Sequence, residues 1–234
     1  MRRRILIVVA ALALAVCGAA VAALPAQLQF DEKDQAWAKN MLLAQYDLEA
    51  VWQDMPGNGE AGDPRDNAFC PPEVSPDESD LVITGGNYAS FARTDGGALA
   101  FSSSTVWQTA EHAQADWDRT VQPQLLNCVA AGLRSASTKK VKLVVTKTTA
   151  LSLPAIAPRT AAYRFSLAYK STRKVRGKKR TVSLPATFEL VLLGNGRASL
   201  QIGFLAFNKV PIGAASKERT LVKLARKLQY DPKH

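Results

Sequence analysis

The chain has 234 residues, of which 47% are hydrophobic and 21% charged, and its formal net charge is +10. This ordinary globular composition excludes a disordered or fibrous chain, and one domain of about 200 residues can bury a sizeable core. No catalytic or metal-binding motif rises above background, and we therefore expect a protein that is not an enzyme and needs no cofactor.

The N-terminus has the pattern of an export signal. Arginines at positions 2–4 precede an apolar run that starts at Ile5, and Ala20-Val21-Ala22 fits an A-x-A cleavage site. We expect residues 1–23 to be a signal peptide and residues 24–234 to form a single α+β domain outside the cytoplasm.

Two other interpretations of this N-terminal segment stay open. The apolar run is just long enough to remain as a membrane anchor. Leu14-Ala15-Val16-Cys17 also resembles a bacterial lipobox, in which Cys17 would be lipidated, although Val16 is a poor residue before such a cysteine.

Removal of the signal leaves two cysteines, Cys70 and Cys128. An even pair in an oxidising compartment indicates one disulfide. On the chain-entropy model, closing this loop of about 60 residues contributes ~4 kcal/mol to stability. Neither cysteine lies in a C-x-x-C, which disfavours a catalytic thiol.

The first third of the chain predicts a helix, an irregular segment and three strands. We expect an amphipathic helix over Asp31–Ala44, capped by Asp31 or Asp34, and a further helical turn at Asp47–Trp52. The acidic residues between Asp54 and Asp80 lack the EF-hand spacing of a calcium site. The predicted strands are Leu81–Thr84, Tyr88–Thr94 and Ala98–Val106, with turns at Gly85-Gly86-Asn87 and Asp95-Gly96-Gly97.

The stretch Val106–Leu133 is the element around which we expect the fold to be organised. Apolar residues recur every four positions, which predicts a helix with one buried stripe, and Thr109 is a plausible N-cap. Pro123 interrupts it, and we expect a kink or two abutting helices.

The second half predicts long strands and a closing helix. The predicted strands are Val141–Thr149, Ala162–Lys170, Thr181–Leu193 and Arg197–Val210, and the helix is Ser216–Leu228, capped by Ser216. Pro185 indicates a bulge or the point where pairing begins. The order of elements predicts an α+β fold, with helices packed on an antiparallel sheet of about six or seven strands.

Charge divides the chain into two halves. Residues 24–118 carry a net charge of −13, and residues 119–234 carry +20. The two halves can neutralise each other by lying together in one fold, but one basic cluster is too dense for that. It consists of Arg173, Lys174, Arg176, Lys178, Lys179 and Arg180.

This cluster, called the basic tip below, lies between two predicted strands. We interpret it as a protruding hairpin or loop that attracts polyanions, either an anionic envelope polymer or a membrane surface. The alternative is a loop whose charge only keeps a sheet edge soluble. Nucleic acid is disfavoured because no aromatic residues interleave with the cations.

Two other function classes stay open. A hydrolase acting on the envelope would use His112 and Asp116 with Ser103 or Ser104, although the spacing fits no known nucleophile motif. A structural protein would instead assemble through its acidic and basic faces.

Several loose motifs resemble the secreted and lipoprotein sensor-domain proteins of actinobacteria, which are related to the extracellular domain of PknH-type serine/threonine kinases. The matching residues are Leu43, Asp47, Leu48, Trp52, Cys70, Phe101–Val106, Ala110, Ala113, Ala115, Cys128, Tyr163, Arg164, Gly196 and Arg197. The resemblance implies an antiparallel sheet with a cleft and ligand sensing without catalysis. Sensor domains of kinases of this type look to have two disulfides, where one is expected here. Since the sequence contains no kinase domain, we expect a partner protein to relay any signal.

Overall fold

The computed structural model describes residues 27–56, 76–121, 124–135, 137, 141–175, 178–207 and 212–231. The helices are α1 (Glu32–Met41), α2 (Ala110–Thr120), α3 (Gln124–Ser135) and α4 (Ala214–Leu228), with a short 3-10 helix at Gln45–Asp47. The strands are β1 (Trp52–Asp54), β2 (Ile83–Arg93), β3 (Ala98–Trp107), β4 (Val141–Ala150), β5 (Arg159–Val175), β6 (Lys178–Asn195) and β7 (Ala198–Phe207). None of the helices in these ranges combines the length and apolar character needed to cross a membrane.

In the described part of the chain, seven strands form one antiparallel sheet in the order β1-β2-β3-β7-β6-β5-β4. Successive strands of each half pair as neighbours, and the two halves join where β3 pairs with β7. Helices cover both faces of this sheet, and the predicted α+β class is confirmed.

Strand alternation sends apolar side chains to both faces of β6. Val191 and Leu193 pack into the cluster that contains Trp37 of α1 and Leu224 of α4. Leu190 and Leu192, which alternate with them, pack into a second cluster, which contains Val129 of α3. This part of β6 is therefore a central strand covered on both sides.

The helix starts agree with the sequence in two of three cases. Asp31 caps α1 by accepting hydrogen bonds from the backbone N–H groups of Lys33 and Asp34, and Thr109 caps α2 through the N–H of His112. The prediction for Ser216 is wrong, because α4 starts two residues earlier and has Gly213 at its N-cap.

The central helix is divided in two, which confirms the second alternative predicted for Pro123. Helix α2 ends at Thr120 and α3 begins at Gln124, while Pro123 itself lies outside the described residues.

The turn predicted at Gly85-Gly86-Asn87 is wrong, because β2 runs through it with one register irregularity between Ile83 and Gly85. Gly85 is required there for a different reason. A Cβ on Gly85 would lie 2.4 Å from the backbone oxygen of Asp34, so its absence lets α1 approach the sheet closely.

The helical turn predicted at Asp47–Trp52 is also displaced. The 3-10 helix ends at Asp47, and Trp52 begins β1 instead, where its side chain is buried.

The remaining hairpins follow the predictions more closely. Gly96 and Gly196, with φ of 70° and 50°, occupy the left-handed region in the β2–β3 and β6–β7 turns. Pro185 pairs in register with Ala168, and pairing of β6 with β7 begins at the next residue, Ala186. The second alternative predicted for Pro185 is therefore the observed one.

Candidate anion-binding site

The basic tip is the end of the β5–β6 hairpin. Both strands extend further than predicted and enter the cluster: Arg173 pairs with Arg180, Lys174 with Lys179 and Val175 with Lys178. Two residues, Arg176 and Gly177, connect the last pair and lie outside the described range. Of the two shapes expected from the sequence, the hairpin is the observed one.

This hairpin extends past the described parts of its neighbours in the sheet. Within the described residues, pairing of β4 with β5 reaches Ser171, and β7 pairs with β6 from Ala186 onwards. Residues 172–175 of β5 therefore pair, within the described chain, only with residues 178–181 of β6. At about 3.3 Å per residue, these four pairs extend the hairpin by roughly 13 Å.

The register of the tip places like charges opposite each other. Arg173 faces Arg180, and Lys174 faces Lys179, across the strand pair. Like charges in directly opposite positions of antiparallel strands destabilise the pairing. Cross-strand pairing therefore does not favour this choice of residues.

Elsewhere the two charged halves of the chain neutralise each other as expected. Ion pairs join Asp34 to Arg197, Asp47 to Lys227, and Asp80 to Arg119. In each pair the carboxylate comes from the acidic half of the chain and the cation from the basic half.

Arg197 forms the most enclosed of these contacts. Its Nη1 and Nη2 each donate to one carboxylate oxygen of Asp34 at 3.1 Å, and Asp34 is fully buried. Nε and Nη2 also donate to Asp231, at 3.3 and 3.1 Å, and Nη1 donates to the carbonyl of Trp107 at 3.1 Å. We call Arg197, Asp34 and Asp231 the arginine clamp. It ties α1, the end of β3 and the segment after α4 together.

Glu189 is the acidic residue of β6. Arg164 Nε donates to its Oε1 at 2.9 Å, and Lys217 at the start of α4 donates to its Oε2. Burial by itself raises the pKa of Glu189, but the hydrogen bonds from Lys217 and Arg164 outweigh it and the net shift is downward.

The residues of the alternative hydrolase do not form a catalytic triad. Nδ1 of His112 accepts a hydrogen bond from the backbone N–H of Val82 at 3.3 Å, so this atom cannot donate to Asp116 as a triad requires. Ser104 is fully buried and donates to the carbonyl of Ala38 on the α1 side of the sheet. Helix α2, which carries His112, packs on the other side. Ser103, within the described residues, makes no hydrogen bond to His112.

Asp116 has a shifted pKa without a catalytic partner. Desolvation raises its pKa to about 6, against the opposing effects of a hydrogen bond from Thr120 and the charges of Arg159 and Arg119. This partly buried carboxyl group is therefore close to its titration point at neutral pH.

The acidic segment offers no metal site within the described residues, among which no cluster of three or more His, Cys, Asp or Glu is suited to a metal. Both oxygens of Asp80 accept from Arg119 at 2.6 and 2.7 Å, and Asp77 accepts from the N–H of Ser79. Glu78 also lies in the described range, whereas Glu60, Asp63, Asp66 and Glu73 lie in residues 57–75, outside it.

Cys128 is buried in α3 with 2% of its surface exposed. Its predicted partner Cys70 and the lipidation candidate Cys17 both lie outside the described residues, as does the predicted signal peptide.

Sequence reasoning missed the arginine clamp and the Glu189 contacts. Asp34 and Arg197 are 163 positions apart, and no motif links them. The one available signal was Glu189 itself, a lone acid in an otherwise apolar strand segment, because a buried charge requires a partner.

Comparison with known proteins identifies no family for the chain. No protein-family model matches it, and no curated protein does. One solved structure of similar shape is the extracellular domain of PknH from Mycobacterium tuberculosis. The TM-score is 0.42 and the sequence identity 10%, over 82% of this chain and 96% of that domain. A similarity of this size transfers no function, and membership of the actinobacterial sensor-domain group stays a prediction.

Proposed function

We propose that the protein is a non-enzymatic binding domain of the bacterial cell envelope, located outside the cytoplasm, which contacts an anionic polymer or membrane surface through the basic tip. The observation that carries this proposal is the register of the tip, where Arg173 pairs with Arg180 and Lys174 pairs with Lys179 at the end of the β5–β6 hairpin. A hairpin end with this many cations concentrates positive potential, and this potential attracts polyanions.

The absence of a triad geometry around His112 supports binding rather than catalysis. The His112 ring serves a structural contact with Val82, and Ser104 serves one with Ala38. Each group is already engaged in holding a helix or a loop against the sheet.

The location is proposed from the sequence. The N-terminal pattern supports export, and export would place Cys70 and Cys128 where a disulfide persists. Cys128 is buried, and its pairing with Cys70 is inferred from the even number of cysteines that remain after export. Mass spectrometry of the exported protein tests this, since a Cys70–Cys128 bond predicts two missing hydrogens, a cross-linked peptide pair and no lipid on Cys17. Free, alkylatable thiols on both residues would contradict it.

Charge reversal tests the role of the tip. We expect the Arg173→Glu, Lys174→Glu, Lys178→Glu, Lys179→Glu variant to lose retention on phosphocellulose and on phosphatidylglycerol vesicles near 0.15 M salt. A matched control reverses four exposed cations on helices: Lys33→Glu, Lys39→Glu, Arg219→Glu and Arg226→Glu. The control has the same net charge and should retain most of the binding. Equal retention of the tip variant and the wild type would overturn the proposal.

A further inference from the structure

One face of β4 and β5 is exposed and basic. Along β5 the side chains of Phe165, Leu167 and Tyr169 are buried against α3, so the intervening residues face the opposite side of the sheet. On that side Arg164 and Lys170 are exposed. Strand β4 adds two exposed lysines on the same side, because Lys142 pairs with Lys170 and Lys147 pairs with Ser166. We call Lys142, Lys147, Arg164 and Lys170 the cationic face.

The cationic face is continuous with the basic tip. Lys142 pairs with Lys170, which repeats the opposition of like charges seen at the tip. Four residues further along β5 comes Lys174, which pairs with Lys179. From Arg164 to Lys174 the cationic positions extend over about 33 Å at 3.3 Å per residue.

Little on this side of the sheet neutralises the lysines. From Val141 to Asn195 the sequence has eleven basic residues and one acidic residue, Glu189. Glu189 is already bonded to Arg164 and Lys217. Among the described residues, no carboxylate forms an ion pair with Lys142, Lys147 or Lys170.

The shape of this face distinguishes between anionic partners. Helix α4 packs on the same side of the sheet, where Leu221 and Leu224 join the cluster of Leu200 and Ile202. Because a helix with its side chains is about 10 Å across, α4 stands above the exposed strands and the cationic face lies at the foot of a step. A flat bilayer in contact with α4 would not reach the cationic face, whereas a flexible polymer can bend to contact it.

Base stacking is not available on this face either. The exposed large hydrophobic residues of the described chain are Phe30, Tyr46, Val51, Val144 and Tyr230, and the aromatic ones among them lie outside β4 and β5. A nucleic acid would gain no stacking contribution there.

We propose that the ligand is a linear polyanion without bases, a flexible chain of phosphate or carboxylate groups. It lies along the cationic face and ends at the basic tip. This inference rests on the proposed function, because it names the ligand class and the extent of the same site.

The test compares a long and a short polyanion in solution. Long-chain inorganic polyphosphate would span the cationic face and the tip, whereas tripolyphosphate would occupy only one end. The face variant is Lys142→Gln, Lys147→Gln, Lys170→Gln, and its control, with the same loss of charge, is Lys33→Gln, Lys39→Gln, Arg226→Gln. All are made in the full sequence and compared with the wild type after their urea unfolding curves have been matched.

We expect the face variant to lose affinity for long-chain polyphosphate at least tenfold and its affinity for tripolyphosphate to stay unchanged. The slope of log affinity against log salt should fall by about 2, on the scale of roughly 0.7 per cation that applies to single-stranded polyanions. The control should keep the wild-type slope.

Three results would overturn the inference and leave the proposed function standing. The first is a face variant that matches its control on the long polymer. The second is a wild type that binds phosphatidylglycerol vesicles but not polyphosphate, and the third is a preference for single-stranded DNA over polyphosphate of equal charge. If instead the tip charge-reversal variant binds every probe as the wild type does, the proposed function itself fails.

Discussion

The arginine clamp and the basic tip differ in the groups that surround their positive charges. Arg197 is 8% exposed, and two carboxylates and a carbonyl surround its guanidinium group. At the tip, cations of adjacent strands occupy paired register positions instead. The difference teaches that charge pairing is local: carboxylates meet cations around the N-terminal and C-terminal helices, whereas, among the described residues, Lys142, Lys147 and Lys170 of β4 and β5 form no ion pair.

The largest effect should come from breaking the clamp. Arg197→Gln leaves the fully buried carboxylate of Asp34 without its bidentate partner, and loss of one member of a buried ion pair costs about 3–5 kcal/mol. Urea unfolding would measure this loss. As a control, Arg93→Gln removes a partly exposed pair with Asp95 and should cost about 1 kcal/mol or less. Equal losses for the two variants would mean that the clamp is no more than a surface contact.

The close packing beside the clamp gives the next effect. Gly85→Ala would place a Cβ 2.4 Å from the backbone oxygen of Asp34, and α1 would have to move away from β2. We expect a loss of about 1–3 kcal/mol, as for other overpacked positions. Gly213→Ala is the matched control, since its nearest non-bonded atom would be 3.9 Å away. A thermal melt in which both variants resemble the wild type would contradict the described approach of α1.

Asp116 is a partly buried carboxyl group that belongs to neither the arginine clamp nor the basic tip. Its folded-state pKa of about 6 lies above the ordinary value of 3.8, so the folded protein binds a proton where the unfolded chain does not. Stability should therefore rise as the pH falls from 7 towards 4. Asp116→Asn should raise the free energy of unfolding at pH 7 by about 1–2 kcal/mol and flatten this part of the pH profile. An unchanged profile would show that Asp116 titrates normally.

The smallest expected effect on stability comes from a substitution in the basic tip. Lys179→Glu places an acid opposite Lys174 and replaces repulsion by attraction. We expect a gain of about 0.2–1 kcal/mol in unfolding experiments, together with weaker binding to phosphocellulose. Lys39→Glu, at an exposed cation of α1, is the control for the same change of net charge. A variant with unchanged stability and unchanged binding would contradict the role assigned to the like charges in the strand register.

Local patterns predicted much of this fold. Alternation in β5, the glycine turns at Gly96 and Gly196, and the cap at Thr109 each depend on a few neighbouring residues. The continuous strand through Gly85 was not predictable, because its glycine is required by a tertiary contact with α1 and not by a turn.

The same distinction applies to the candidate site: one part is visible in the sequence, and the other depends on tertiary contacts. The density of cations from Arg173 to Arg180 is visible in the sequence, and it predicted the tip. The cationic face is not visible there, because Lys142 and Lys170 become neighbours only through the register of β4 and β5. The arginine clamp likewise depends on residues 163 positions apart.

The salt dependence of polyanion binding by the wild-type protein tests the central claim most directly. If the tip cations are available to a partner, the affinity for long-chain polyphosphate should fall linearly on a log–log plot against salt. With six tip cations the slope should be at least about 4 in magnitude. A flat dependence, or no binding at low salt, would mean that this charge is already neutralised within the protein.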